Sequence, residues 1–156
     1  MNKKLSVVIL IAVILIIAGG YLIVTNPSGE TLVDESSATL KPHDFGVFSM
    51  DIPEGSNFTI QNEASGIKSY QNNGSYADEI SRVIINKNLT DSLIGDNSQS
   101  ISNSSDQQIY SSVFKNETIY KFVCVHDDVD VILIGDDLNL LKEIADTIEI
   151  KDAKSL

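Results

Sequence analysis

The chain has 156 residues, 42% of them hydrophobic, and a formal net charge of −11 at pH 7. All 22 acidic residues follow residue 24, together with nine of the 11 basic ones, so that part carries about −13. Such a balance excludes nucleic acid and anionic headgroups as natural partners. A single cysteine excludes an internal disulfide, so the folded part must hold together by its core.

Leu5 to Val24 carries no charge, and Ser6 and Tyr21 are its only polar side chains. Twenty helical residues at 1.5 Å each span about 30 Å, the thickness of a bilayer's hydrocarbon core. The stretch predicts a transmembrane helix over 5–24. Lys3 and Lys4 would also suit the start of a secretory signal, with Ala18-Gly19-Gly20 as the small residues of a cleavage site. The apolar run continues through Tyr21, Leu22, Ile23 and Val24, however, which favours an uncleaved anchor. No cysteine stands directly after it, so a lipid anchor of the lipoprotein kind is not expected. Basic residues near a span stay cytoplasmic. Residues 1–4 are therefore expected in the cytoplasm and residues 25–156 outside, with the cell membrane as the location.

Residues 25–43 have the Pro, Gly, Ser and Thr content of a polar linker, ending near Pro42. The extracytoplasmic domain is expected over 44–156. Phe48, Met50 and Ile52 alternate with Ser49 and Asp51, which is strand period, and Pro53-Glu54-Gly55 reads as a turn. Phe58 and Ile60 suggest a second strand. Residues 67–71 suggest a weaker one, closed by Asn72-Asn73-Gly74. Residues 79–86 are rich in β-branched side chains and read as a strand. Residues 90–108 are dense in Ser, Asn, Asp and Gln and read as a long exposed loop with one helical turn at Leu93-Ile94. Residues 108–114, 118–126 and 129–135 form three strand candidates in a meander. Asp136 or Asp137 then offers a helix N-cap, and Leu138, Leu141, Ala145 and Ile148 make an apolar stripe, with Ile144 beside it. Residues 149–151 return as a short extended end.

Several strands followed by one helix predict an α+β class: after the transmembrane helix, an antiparallel sheet of hairpins with a C-terminal helix packed on one face. The strand running into FSMDIPEGSNF, the middle hairpins and the closing VILIGDDLNLLKEIADTIEI resemble small exported PsbP/Mog1-like domains. They are also similar to short archaeal membrane-anchored surface proteins of unknown function. The Trp that often follows the Pro-Gly turn in the first group is replaced here by Ser56-Asn57-Phe58, and the resemblance assigns no functional residue.

Five Asn-x-Ser/Thr sequons make Asn57, Asn73, Asn88, Asn103 and Asn116 candidate N-glycosylation acceptors. With 12 asparagines and 26 serines plus threonines, chance placement gives about two. A Ser/Asn-rich loop composition is the competing explanation. Cys124 and His126, two apart on one strand, face the same way and could pair as a nucleophile and base. Their apolar neighbours favour a buried, structural cysteine instead. Asp127, Asp128, Asp130, Asp136 and Asp137 lack the spacing of a calcium loop and read as turn and cap residues. With only His43 and His126, a histidine metal site is not expected. No cofactor and no catalytic or metal residue is assigned.

These readings favour a non-catalytic surface module that contacts an envelope component or a protein partner, with residues 90–108 as the candidate contact region. The competing readings are a small exported hydrolase or redox protein using Cys124 and His126, and an accessory subunit of a membrane complex.

Overall fold

Ten strands and two short helices organise the described residues, 38–87 and 89–156, of the computed structural model. In chain order these are β1 (Leu40–Asp44), β2 (Phe48–Pro53), β3 (Phe58–Ala64), β4 (Ile67–Asn72), β5 (Arg82–Asn86), α1 (Thr90–Ile94), β6 (Gln99–Asn103), β7 (Gln107–Phe114), β8 (Glu117–Val125), β9 (Asp130–Gly135), α2 (Leu138–Ala145) and β10 (Glu149–Ile150). A 3-10 turn, Ala153–Ser155, follows. The expected transmembrane helix over 5–24 lies outside the described residues. Among those described, no helix is long and apolar enough to cross a membrane.

The expectation of an α+β domain with one sheet is corrected. Half of the described residues are in strands and 14% in helices, so the class is mostly β. There are two antiparallel sheets, β1-β2-β10 and β3-β4-β5-β9-β8-β7-β6. The physical reason lies in the turn after β2. Ser56 N–H donates to Pro53 C=O, Gly55 takes a φ of 93° there, and the chain passes into β3 of the larger sheet instead of pairing back onto β2. β1 occupies residues 40–43 of the segment read as linker, and Pro42 sits inside this edge strand, where a missing N–H is tolerated.

One face of the large sheet carries the main core. Val83 and Ile85, Val131 and Leu133, and Phe122 and Cys124 alternate out of the three central strands. Phe48, Met50 and Ile52 of β2 and Leu140, Leu141, Ile144 and Ala145 of α2 pack against them. Phe45 stacks on Phe48 at 4.6 Å and meets Tyr70 edge-on at 4.9 Å; the Tyr70 hydroxyl donates to Phe45 C=O at 3.2 Å, tying the two sheets together. Asp137 caps α2, its Oδ1 accepting from Asn139 N–H at 2.9 Å and Leu140 N–H at 3.0 Å.

The opposite face holds a smaller cluster of Ile84, Val123 and Ile132, covered by Ile94 of α1. The helical turn expected at Leu93-Ile94 is the end of α1, but the rest of 90–108 is not the expected loop: it supplies the edge strand β6 and the start of β7. The polar composition misled because β6 is exposed at all five positions, so its side chains carry no apolar period. Its register slips between Ser100 and Ser102, and β3, the other edge, slips between Ile60 and Asn62. Such bulges blunt edges against pairing with further strands.

Candidate functional site

Cys124 stands near the end of β8 and His126 directly follows the strand. The Cys124 thiol is enclosed by the main core, and burial, then the charges of Asp146 and Asp106, push its pKa up to about 12. A thiolate is the nucleophile in cysteine chemistry, and this environment suppresses it. His126 keeps a buried Nε2 without a hydrogen-bond partner among the described residues. It borders a hollow of about 260 Å³ shared with Asp127, Asp128, Val129, Ile150 and Ala153.

The five carboxylates read from the sequence are divided between the two ends of β9. Asp130 opens the strand and accepts from the Thr90 hydroxyl, beneath a hollow of about 300 Å³ that Asp91, Gln108 and Val125 also line. Asn86 is fully buried there; its Oδ1 accepts from Leu89 N–H at 2.9 Å, so it fixes the entry to α1. Asp136 and Asp137 follow the other end of β9. Loss of hydration, reinforced by Glu79, Asp78 and Asp137, raises the Asp136 pKa. Among the described residues, no three His, Cys, Asp or Glu side chains gather to hold a metal ion.

Asn57, Asn73, Asn103 and Asn116 are all exposed, and Asn88 lies outside the described residues. Asn73 is engaged, its Nδ2 donating to Thr59 Oγ1 at 2.8 Å. Asn116 sits with Lys115 in the β7–β8 turn at φ values of 70° and 51°. Those left-handed values suit the two-residue turn whose twist matches a hairpin.

Two features escaped the sequence reading. Lys121, on the α1 side of β8, donates to Leu93 C=O at 3.2 Å, to Ile94 C=O and to Ser98 Oγ at 3.4 Å. It thus holds the C-terminal end of α1, where a cation is favoured, while desolvation lowers its own pKa. The second is the tip of the β7–β8 hairpin, where Val113 is 75% and Phe114 63% exposed. Its signal was present in the sequence: Val113-Phe114 directly before Lys115-Asn116 puts bulky apolar residues where a turn is ordinarily flanked by polar ones. No protein-family model matches this chain, and no curated protein matches it either.

Proposed function

We propose that this chain is a single-pass, membrane-anchored surface protein whose domain of residues 38–156 is a non-catalytic binding or envelope-contact module. The observation that carries the reading is the uncharged stretch Leu5–Val24 behind Lys3 and Lys4, followed by a polar segment and a folded β-rich domain. Attachment places residues 1–4 in the cytoplasm and the domain outside. A tethered domain is concentrated at the envelope surface, where weak and repeated contacts suffice. Its acidic balance keeps it soluble and directs it to neutral or cationic partners, not to nucleic acid. The suppressed thiolate at Cys124 weighs against hydrolase or redox chemistry on that residue. Exposed Asn57 and Asn103 are suitable glycan acceptors in a cell that has the transferase.

Protease added to spheroplasts tests the topology. Digestion of the domain with a protected N-terminal tag, and retention of the chain in membranes at alkaline pH, are expected. A mature protein starting near residue 20 would remove the anchor. Turnover that is abolished by Cys124→Ser in a variant still folded would replace the binding reading with an enzymatic one.

A further inference from the structure

The β7–β8 hairpin outruns the sheet around it. Tyr120 pairs with Gly135, the last residue of β9, and Ser111 pairs with Gln99, the first of β6. The pairs Ser112–Ile119, Val113–Thr118 and Phe114–Glu117 continue with no strand beside them among the described residues. Three further pairs project about 10 Å. Val113 and Phe114 are consecutive strand residues, so they face opposite sides of this ribbon. A protein surface would cover one of those sides, whereas a lipid interface covers both. The Lys115 ammonium lies 5.3 Å from the Phe114 ring centroid, and a lysine beside an inserted apolar side chain can lay its stem along it while keeping the charge in water.

The chain enters the domain at the same end of the sheet. Thr39 C=O accepts from Glu54 N–H, and the turn after Glu54 is bound to the loop leaving β4 through Ser75 N–H to Gly55 C=O and Asn73 N–H to Asn57 C=O. The end of β4 and the start of β8 are three strand spacings apart, about 15 Å. Residues 25–37 can span at most about 45 Å, so the domain stays within reach of the membrane. Asp78, Glu79, Asp136 and Asp137 occupy the same end, which selects against anionic headgroups.

We propose that the hairpin tip, Val113 to Asn116, dips into a neutral or zwitterionic membrane interface and orients the domain on the bilayer; this rests on the membrane attachment proposed above. The projection of about 10 Å lets the tip reach the interface while the rest of the sheet stays clear of it. Asn116 then remains unglycosylated, since a glycan there would hold Phe114 out of lipid.

The chain contains no tryptophan, so Phe114→Trp, Val113→Trp and Leu89→Trp each introduce a single reporter. Leu89 is exposed beyond the opposite end of β5 and serves as the distant control. The full chain is reconstituted into phosphatidylcholine vesicles with and without lipid brominated on its acyl chains. Loss of emission to bromolipid in Phe114→Trp or Val113→Trp, but not in Leu89→Trp, is expected. Equal quenching of all three by aqueous iodide, with the protein still floating with the vesicles, overturns the tip contact and leaves the anchor standing. Loss of flotation overturns the attachment and the tip contact together. Tip reporters shielded from both quenchers signify a protein covering the tip and overturn the proposal, as does a glycan found on Asn116 in the native protein.

Discussion

At pH 8 an ordinary exposed thiol is partly ionised, whereas the Cys124 thiol, with its pKa near 12, stays protonated. Its relative exposure of 5% also denies a reagent access. Labelling of Cys124 in the native protein should therefore be slow and should reach completion only on denaturation. Fast native labelling would mean that this end of β8 opens. Asp136 supplies the opposite sign of test. Its raised folded pKa means that its contribution to stability is fully present below the ordinary value of 3.8 and is lost as pH rises through the folded value. The carboxylate, exposed beside Glu79, Asp78 and Asp137, thus opposes folding weakly at neutral pH. Asp136→Asn should raise Tm at pH 7, with the gain shrinking as pH falls toward 3.8. A gain independent of pH would assign the effect to something other than this charge. Asn72 was legible only as part of a turn signal. Buried in place, its side chain accepts from Asn57 N–H at 2.9 Å and Gly74 N–H at 3.0 Å and donates to Ser75 C=O at 3.0 Å and Ile80 C=O at 3.2 Å. Four partners drawn from three turns cannot be read from Asn72-Asn73-Gly74 alone.

Among the elements, α2 shows how far helical spacing carries. Leu141 and Ala145 of the expected stripe are buried, together with Leu140 and Ile144, while Leu138 and Ile148 at its ends are only partly covered. The helix meets two surfaces at once, the large sheet and β2, so its apolar face is wider than one stripe. Leu141→Ala should cost about 2–5 kcal/mol in urea unfolding. A loss within about 0.5 kcal/mol, as at ordinary surface positions, would place Leu141 outside the core. In the sequence Gly135 only ends the strand candidate 129–135. Its more stringent role is close approach: a Cβ there would lie 1.9 Å from Glu79 C=O. Backbone cannot yield as a flexible side chain can. Gly135→Ala is therefore expected to exceed about 4 kcal/mol, the exceptional range for one substitution. A mild effect would show that the 78–81 segment moves aside freely.

For the domain as a whole, one cluster joins Phe48 and Met50 of the small sheet, Val83 and Leu133 of the large one, and Leu141 and Ile144 of α2. No sheet or helix in that set buries its apolar side without the others. Thermal unfolding should accordingly follow a single transition, with the same midpoint by far-UV circular dichroism and by tyrosine fluorescence. Two separated midpoints would mean that β1-β2-β10 detaches as its own unit. The alternating faces also explain why Ile84 parts from Val83 and Ile85: it belongs to the smaller cluster under α1. Shortening residues 92–107 would uncover that cluster and deprive Lys121 of its carbonyl partners. Such a deletion reads out folding, so it cannot test a contact made by that region.

Local chemistry determined much of the chain's order by itself. Alternation marked β2, short polar connections between strand candidates marked the β7–β8–β9 meander, turn residues marked 53–55 and 72–74, and the Asp cap with its apolar stripe marked α2, because each signal acts between residues close in sequence. Tertiary structure decided what depends on distant neighbours. The two-sheet arrangement follows from where the chain is led after Pro53, and β6 is a strand because β7 offers it hydrogen bonds. The fate of Cys124 follows from the density of side chains around it, and that of Val113 and Phe114 from the two neighbouring strands that stop short. Burial and exposure are properties of the assembled sheet, and no spacing along the chain encodes them.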